Sequence, residues 1–107
     1  MLDKTVKVII DRPLGSPHPQ YGYIYPVNYG YVEGVFASDG EEQDVYILGV
    51  NEPLSVFEGK LIAVVHRFND NEDKWVAAPD GVSFSADEIR DMLYFQEQYF
   101  ESEIEIL

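Results

Sequence analysis

The chain has 107 residues, which suit one domain with a real core and leave little room for a second lobe. Its 46% hydrophobic and 14% aromatic content argues against a disordered segment. Twenty acids against seven bases give a net charge of −13, which argues against nucleic acid and anionic membrane partners, because both are bound through Lys and Arg. With no cysteine there is no disulfide framework and no thiolate zinc site.

Met1-Leu2-Asp3-Lys4-Thr5 has neither the basic region nor the long apolar core of a signal peptide. No apolar run reaches membrane-spanning length. A soluble, cytoplasmic protein is the expectation.

Val6 to Ile10 is a β-branched run and reads as the first strand. Asp11 to Pro19 holds three prolines and a glycine, which make a stiff loop. Tyr23 to Tyr31 is aromatic and mostly extended, and Val32 to Ala37 continues it to a turn at Ser38-Asp39-Gly40. Asp44 to Val50 alternates and is apolar, as a buried strand does. Asn51 to Leu54 is a turn, and Lys60 to His66 is a strong strand. Asn69 to Asp73 reads as a polar hairpin loop and Lys74 to Ala78 as the return strand.

The period then changes. Ser85-Ala86-Asp87-Glu88 is a capping box, in which the Ser hydroxyl takes an orphan amide and Glu88 reaches back. Ile89, Met92, Leu93, Phe95, Tyr99 and Phe100 recur at helical spacing, so a helix is expected from about Ala86 to about Ser102. Glu97, Glu101, Glu103 and Glu105 are expected on its solvent face. The fold class is mainly β: a small OB-like barrel over about residues 5–80, covered by one C-terminal α-helix, in a single domain of residues 1–107.

Two blocks carry chemistry. Tyr25-Pro26-Val27-Asn28-Tyr29-Gly30-Tyr31 packs rigid hydroxyl-bearing rings around a proline and a glycine. Asp39, Glu41, Glu42 and Asp44 fall within six residues at a turn. Clustered carboxylates beside aromatic hydroxyls suit hard cations and the phosphate oxygens those cations attract. Each has a plainer reading: a solvated acidic turn, and amphipathic rings on a barrel face.

Together the blocks resemble the family I soluble inorganic pyrophosphatases, over about Val8 to Pro79 with an echo in the last helix. The Tyr-Pro-x-Asn-Tyr-Gly-Tyr block is matched throughout. The Asp-x-Asp-Pro-x-Asp-Val signature is matched at Asp39 and Asp44, with Glu41 in place of the middle Asp. Asp11 stands where the family's first acidic strand has Glu. The resemblance implies a pyrophosphatase-like barrel and Mg²⁺-dependent hydrolysis of pyrophosphate or a related small phosphoanhydride, with Mn²⁺ as an alternative ion.

It also implies site residues. Asp39, Glu41 and Asp44 would be catalytic and would hold metal, with Asp11 and Glu72 as outer metal ligands. Tyr25, Tyr29, Arg12, Lys74 and Tyr99 would bind the phosphate-containing substrate. Arg67 or a protonated His18 or His66 are further sources of positive charge.

The departures define a shortened, divergent member. Asp11 to Tyr25 is too short for the family's hairpin bearing Lys, Glu and Arg. The later metal-binding acidic pair aligns onto Arg67 and Phe68, or with a slip brings in Asp70, and Phe100 replaces a cation. The alternative is therefore a non-catalytic pyrophosphatase-fold protein with a weak metal or ligand site, or an interaction role. The aromatic surplus and exposed barrel edges are compatible with a homo-oligomer.

Overall fold

The computed structural model describes residues 4–68 and 72–107. Met1 to Asp3, and Asn69 to Asn71 of the expected hairpin loop with the alternative ligand Asp70, lie outside the described residues. The elements are β1 (Thr5–Arg12), β2 (Asn28–Phe36), β3 (Glu42–Ile47), β4 (Val56–Arg67), β5 (Asp73–Ala78), α1 (Ala86–Glu97) and β6 (Ser102–Ile106).

Five of the strands close a mixed barrel in the order β1-β2-β3-β5-β4, with β4 returning to β1. The length of β4 makes closure possible. Its first half, Val56 to Lys60, pairs antiparallel with β1, and its second half turns to pair with β5 and β6. Among the described residues, only β3 and β5 pair in parallel.

Strand alternation sorts the apolar residues onto two faces. Val6, Val8, Val45, Ile47, Phe57, Leu61 and Ala77 fill one face, the barrel interior. Tyr46, Val65 and Val76, one residue out of phase, point outward and meet Ile89 and Leu93 of α1. Burying Ile89 and Leu93 is worth roughly 2 kcal/mol each in removed apolar area.

Gly30 is needed where β2 passes β1. A Cβ built there would stand 1.9 Å from the Ile9 carbonyl oxygen, so no larger residue fits this crossing.

The capping box forms as expected: the Glu88 N–H donates to Ser85 Oγ, and the Ser85 N–H donates to Glu88 Oε1. The helix, however, ends at Glu97 rather than near Ser102, and residues 102–106 form a sixth strand. The reason lies in β4, whose second half offers a backbone edge to Ser102–Ile106 in register with Arg67–Ala63. Ser-Glu-Ile-Glu-Ile alternates with period two, and that pattern outweighs the helical continuation. The expected acidic face is corrected with it. Glu103 and Glu105 are exposed on β6, while Glu97 is buried.

No helix among the described residues is long and apolar enough to cross a membrane.

Candidate active site

Between the outer barrel wall, α1 and the loop before β2 lies a cavity of about 670 Å³. Strand phase explains its floor. Asp44 shares the outward phase of Tyr46 on β3, and Lys74 shares that of Val76 on β5. Tyr29 comes from β2, and Asp11 and Arg12 from the end of β1.

Lys74 is 4% exposed. Its ammonium donates to the Tyr29 hydroxyl at 3.0 Å and to Asp44 Oδ2 at 2.5 Å, and it also donates to Glu72. Burial pushes the Asp44 carboxyl up, but its hydrogen bond with Glu72 and the Lys74 charge outweigh burial and hold it below its usual range. Burial and the bond to Asp44 raise Glu72 above its own usual value. Asp44 is therefore the more readily ionised of the two. Burial and the Asp44 charge hold the Tyr29 hydroxyl protonated.

A second chain of bonds ties the wall to the helix. Arg12 Nη1 donates to the Tyr25 hydroxyl, which donates to Gln96 Oε1, as does Tyr23. Gln96 Nε2 donates to the Tyr46 hydroxyl, which donates to Glu97. Glu97 in turn takes Arg67 at both carboxylate oxygens, 3.0 and 2.5 Å. The Arg67 guanidinium also lies 3.7 Å from the Phe100 ring centroid. Burial lowers the Arg67 pKa, but the Glu97 bonds more than reverse this, so Arg67 stays charged.

Of the residues singled out in the sequence, Asp11, Arg12, His18, Tyr25, Tyr29, Asp44, Arg67, Lys74 and Tyr99 line this cavity, and His66 does not. Glu72 reaches it through Lys74. Asp39 and Glu41 do not join them. They stay exposed on the turn, where the Glu41 N–H donates to Asp39 Oδ1 at 3.0 Å. The expected convergence of Asp39, Glu41 and Asp44 on one hollow is absent from this arrangement.

The tyrosine block also divides. Asn28 is a staple: its Oδ1 accepts the Leu14 and Leu54 N–H groups, and its Nδ2 donates to the Glu52 carbonyl. With Gly30 it holds the frame, and Tyr25 and Tyr29 face the cavity. Gln96 and Glu97 were missed in the sequence. Gln96 follows Ile89 by seven positions and Leu93 by three, so it falls on the buried stripe of α1, and a polar residue there is a signal in itself.

These residues do not fit a metal core as they stand. Among the described residues, no three acids or histidines come together in a way that could hold a metal ion. The close acidic pair, Asp44 and Glu72, already shares one cation, the Lys74 ammonium. Lys74 engages one oxygen of each, Asp44 Oδ2 and Glu72 Oε1, so a divalent ion seated between them would have to displace the ammonium or share the pair with a like charge.

Barrel, tyrosine wall and helix together define a pyrophosphatase-like architecture, and comparison with known proteins agrees. Inorganic pyrophosphatase from Ehrlichia chaffeensis superposes on 99% of this chain and 88% of its own, with TM-score 0.75 and 19% identity. The Helicobacter pylori enzyme matches 97% of this chain and 82% of its own, with TM-score 0.69 and 19% identity. In sequence, the inorganic pyrophosphatase of Halalkalibacterium halodurans is 32% identical over 74 residues, or 65% of this chain. That match spans 42% of the relative's length. No protein-family model matches the chain. The protein has the family I inorganic pyrophosphatase fold and is a distant homologue of a protein of that name.

Proposed function

We propose that this protein binds a small phosphate-bearing molecule in the tyrosine-lined cavity and does not hydrolyse it by metal-dependent chemistry. The position of the Lys74 ammonium, on Asp44 and Glu72 at the cavity floor, carries this reading. It supplies internally the positive charge that two neighbouring carboxylates would otherwise draw from a bound cation.

Phosphate binding would fall to Arg12 and the tyrosines. A guanidinium presents a fork of N–H donors suited to phosphate oxygens, and Arg12 uses one of them on Tyr25. Tyr25 donates its one proton to Gln96 and Tyr29 accepts from Lys74, so phosphate contact falls first to the remaining Arg12 N–H groups and reaches the hydroxyls as those bonds exchange. The overall charge of −13 opposes an anion, so binding depends on this local geometry rather than on long-range attraction.

Hydrolysis of pyrophosphate is the second reading, favoured by the relation to the Halalkalibacterium halodurans protein. It would require Lys74 to leave Asp44 and Glu72, and the turn bearing Asp39 and Glu41 to close on the cavity. Mg²⁺ or Mn²⁺ would then be held by Asp39, Glu41, Asp44, Asp11 and Glu72.

Phosphate release from pyrophosphate, with and without each ion, decides between the two. The first reading predicts no turnover, together with calorimetric binding of pyrophosphate. Turnover that is lost in Asp44→Ala would install the second. A cytoplasmic location and a homo-oligomer complete the proposal, the latter resting on the outer edge of β6, and sedimentation velocity tests it.

A further inference from the structure

The cavity has more aromatic wall than a bare phosphate compound can use. Above the floor, the loop from Pro17 to Ile24 packs its rings on one another and on Tyr25, some stacked and others tilted, as Tyr23 is by 39° to His18 and 42° to Tyr25. His18 stacks on Tyr21 at 5.0 Å between centroids and 27° between planes. It lies parallel to Tyr25 within 5° at 6.1 Å, and Tyr21 lies within 12° of Tyr23. Exposure grows from floor to rim: Tyr25 and Tyr29 are buried, whereas Tyr21 is 74% and Tyr99 62% exposed. Both exposed rings line the same cavity.

The loop is built to hold this arrangement. His18 Nδ1 accepts the backbone N–H groups of Gln20 and Tyr21. The His18 N–H donates to the Tyr23 carbonyl at 2.7 Å, and Pro17 bridges to Ile24. Rings fixed before a ligand arrives lose little freedom on binding. A large ring left mostly in water costs hydrophobic free energy unless something covers it.

Polarity follows the same gradient. The half-buried Arg12 stands beside the buried Tyr25 and Tyr29, the acids Asp11 and Asp44 share that lining, and the exposed rings of Tyr21 and Tyr99 stand at the mouth. A ligand that matches both ends is anionic at one end and flat and aromatic at the other. The volume lies within the usual range for small-molecule sites, roughly 300–1,000 Å³. We infer that the cavity takes a nucleoside di- or triphosphate, its phosphates toward Arg12 and Tyr25 and its base against the exposed ring of Tyr21.

This rests on the phosphate-binding reading above, and the test separates the two. Calorimetry on the full chain compares ADP, pyrophosphate and adenosine. ADP should bind about tenfold tighter than pyrophosphate, the scale of one base–aromatic stack, and adenosine should bind more weakly than ADP. Tyr21→Ala, at an exposed position, should lower ADP affinity by about the same factor and leave pyrophosphate unchanged, and Tyr21→Trp should restore ADP. Pyrophosphate bound as tightly as ADP, or Tyr21→Ala weakening both alike, overturns the nucleotide and leaves phosphate binding standing. If neither ADP nor pyrophosphate binds, both proposals fall.

Discussion

The Lys74 ammonium lies 2.5 Å from Asp44 Oδ2, and that contact adds a side-chain bond to the parallel pair of β5 and β3 at the cavity floor. Tyr29 on β2 adds a third strand to the same nitrogen. The group that a phosphate-binding role would place in the cavity is thereby a structural tie between three strands.

Removing it should leave two carboxylates facing each other without a cation. Lys74→Met is expected to lose about 2 kcal/mol, less than for a fully buried pair, because Asp44 and Glu72 side chains remain 28% and 18% exposed. The loss should shrink below about pH 5, where carboxyls take up protons. Mg²⁺ should stabilise the variant more than the parent. Urea unfolding at pH 5 and 7.5, with and without Mg²⁺, measures all three.

The Arg67–Glu97 pair is more deeply enclosed, with side chains 4% and 9% exposed. Arg67→Met should cost about 3–5 kcal/mol, because it strands the Glu97 carboxylate. Adding Glu97→Leu should recover most of that loss, since a buried pair replaced whole by apolar groups is close to neutral. Chemical denaturation of the single and double variants gives the comparison. A double variant as unstable as the single would show that the wider network of Gln96 and Tyr46 depends on the charge.

Gly30→Ala tests the frame. With its Cβ placed 1.9 Å from a backbone oxygen, relief requires β1 and β2 to separate. A loss of about 3 kcal/mol or more is expected, at the upper end of overpacking costs. Thermal unfolding followed by circular dichroism reads it directly.

Much of this architecture was legible in the chain. The β-branched runs at Val6 to Ile10 and before His66, the alternation after Asp44, whose strand lies at Glu42–Ile47, and the capping box at Ser85 each encode a local preference that the fold keeps. The Tyr25 to Tyr31 block pointed to the cavity because fixed residue types at fixed spacing reflect fixed geometry. Strand β6 was hidden, because Ser102 to Ile106 follows a helical stripe and gains its pairing from a distant edge that no local pattern announces. The placement of Asp39 and Glu41 was hidden for a related reason. Spacing along a turn does not say which side of the turn faces the cavity, and here Asp39 accepts its own turn's amide instead. The role of Lys74 depended on contacts between residues thirty and forty-five positions apart.

His66 gives a pH dependence. Its Nε2 meets Glu105 at 2.8 Å and its Nδ1 meets Asp73 at 3.1 Å, linking β6 to β4 and β5. The bond to Glu105 raises its pKa, against the lowering effect of burial, and Asp73 adds to the rise. A raised folded value means the contribution is full below the unfolded pKa of about 6.5 and is lost as pH climbs through the folded value. All three groups are partly exposed, so the effect should be at most about 1 kcal/mol. Amide exchange of β6 should quicken from pH 6 to pH 9 by more than the intrinsic base-catalysed rate, and His66→Gln should remove that excess.

The most direct test is a crystal structure of the protein grown with pyrophosphate and Mg²⁺. The account predicts intact pyrophosphate against Arg12 and Tyr25, with Lys74 still seated on Asp44 and Glu72 and no ion between those carboxylates. Magnesium ions on Asp44 and Glu72, with Lys74 displaced, Asp39 and Glu41 drawn in and orthophosphate in the cavity, would contradict it.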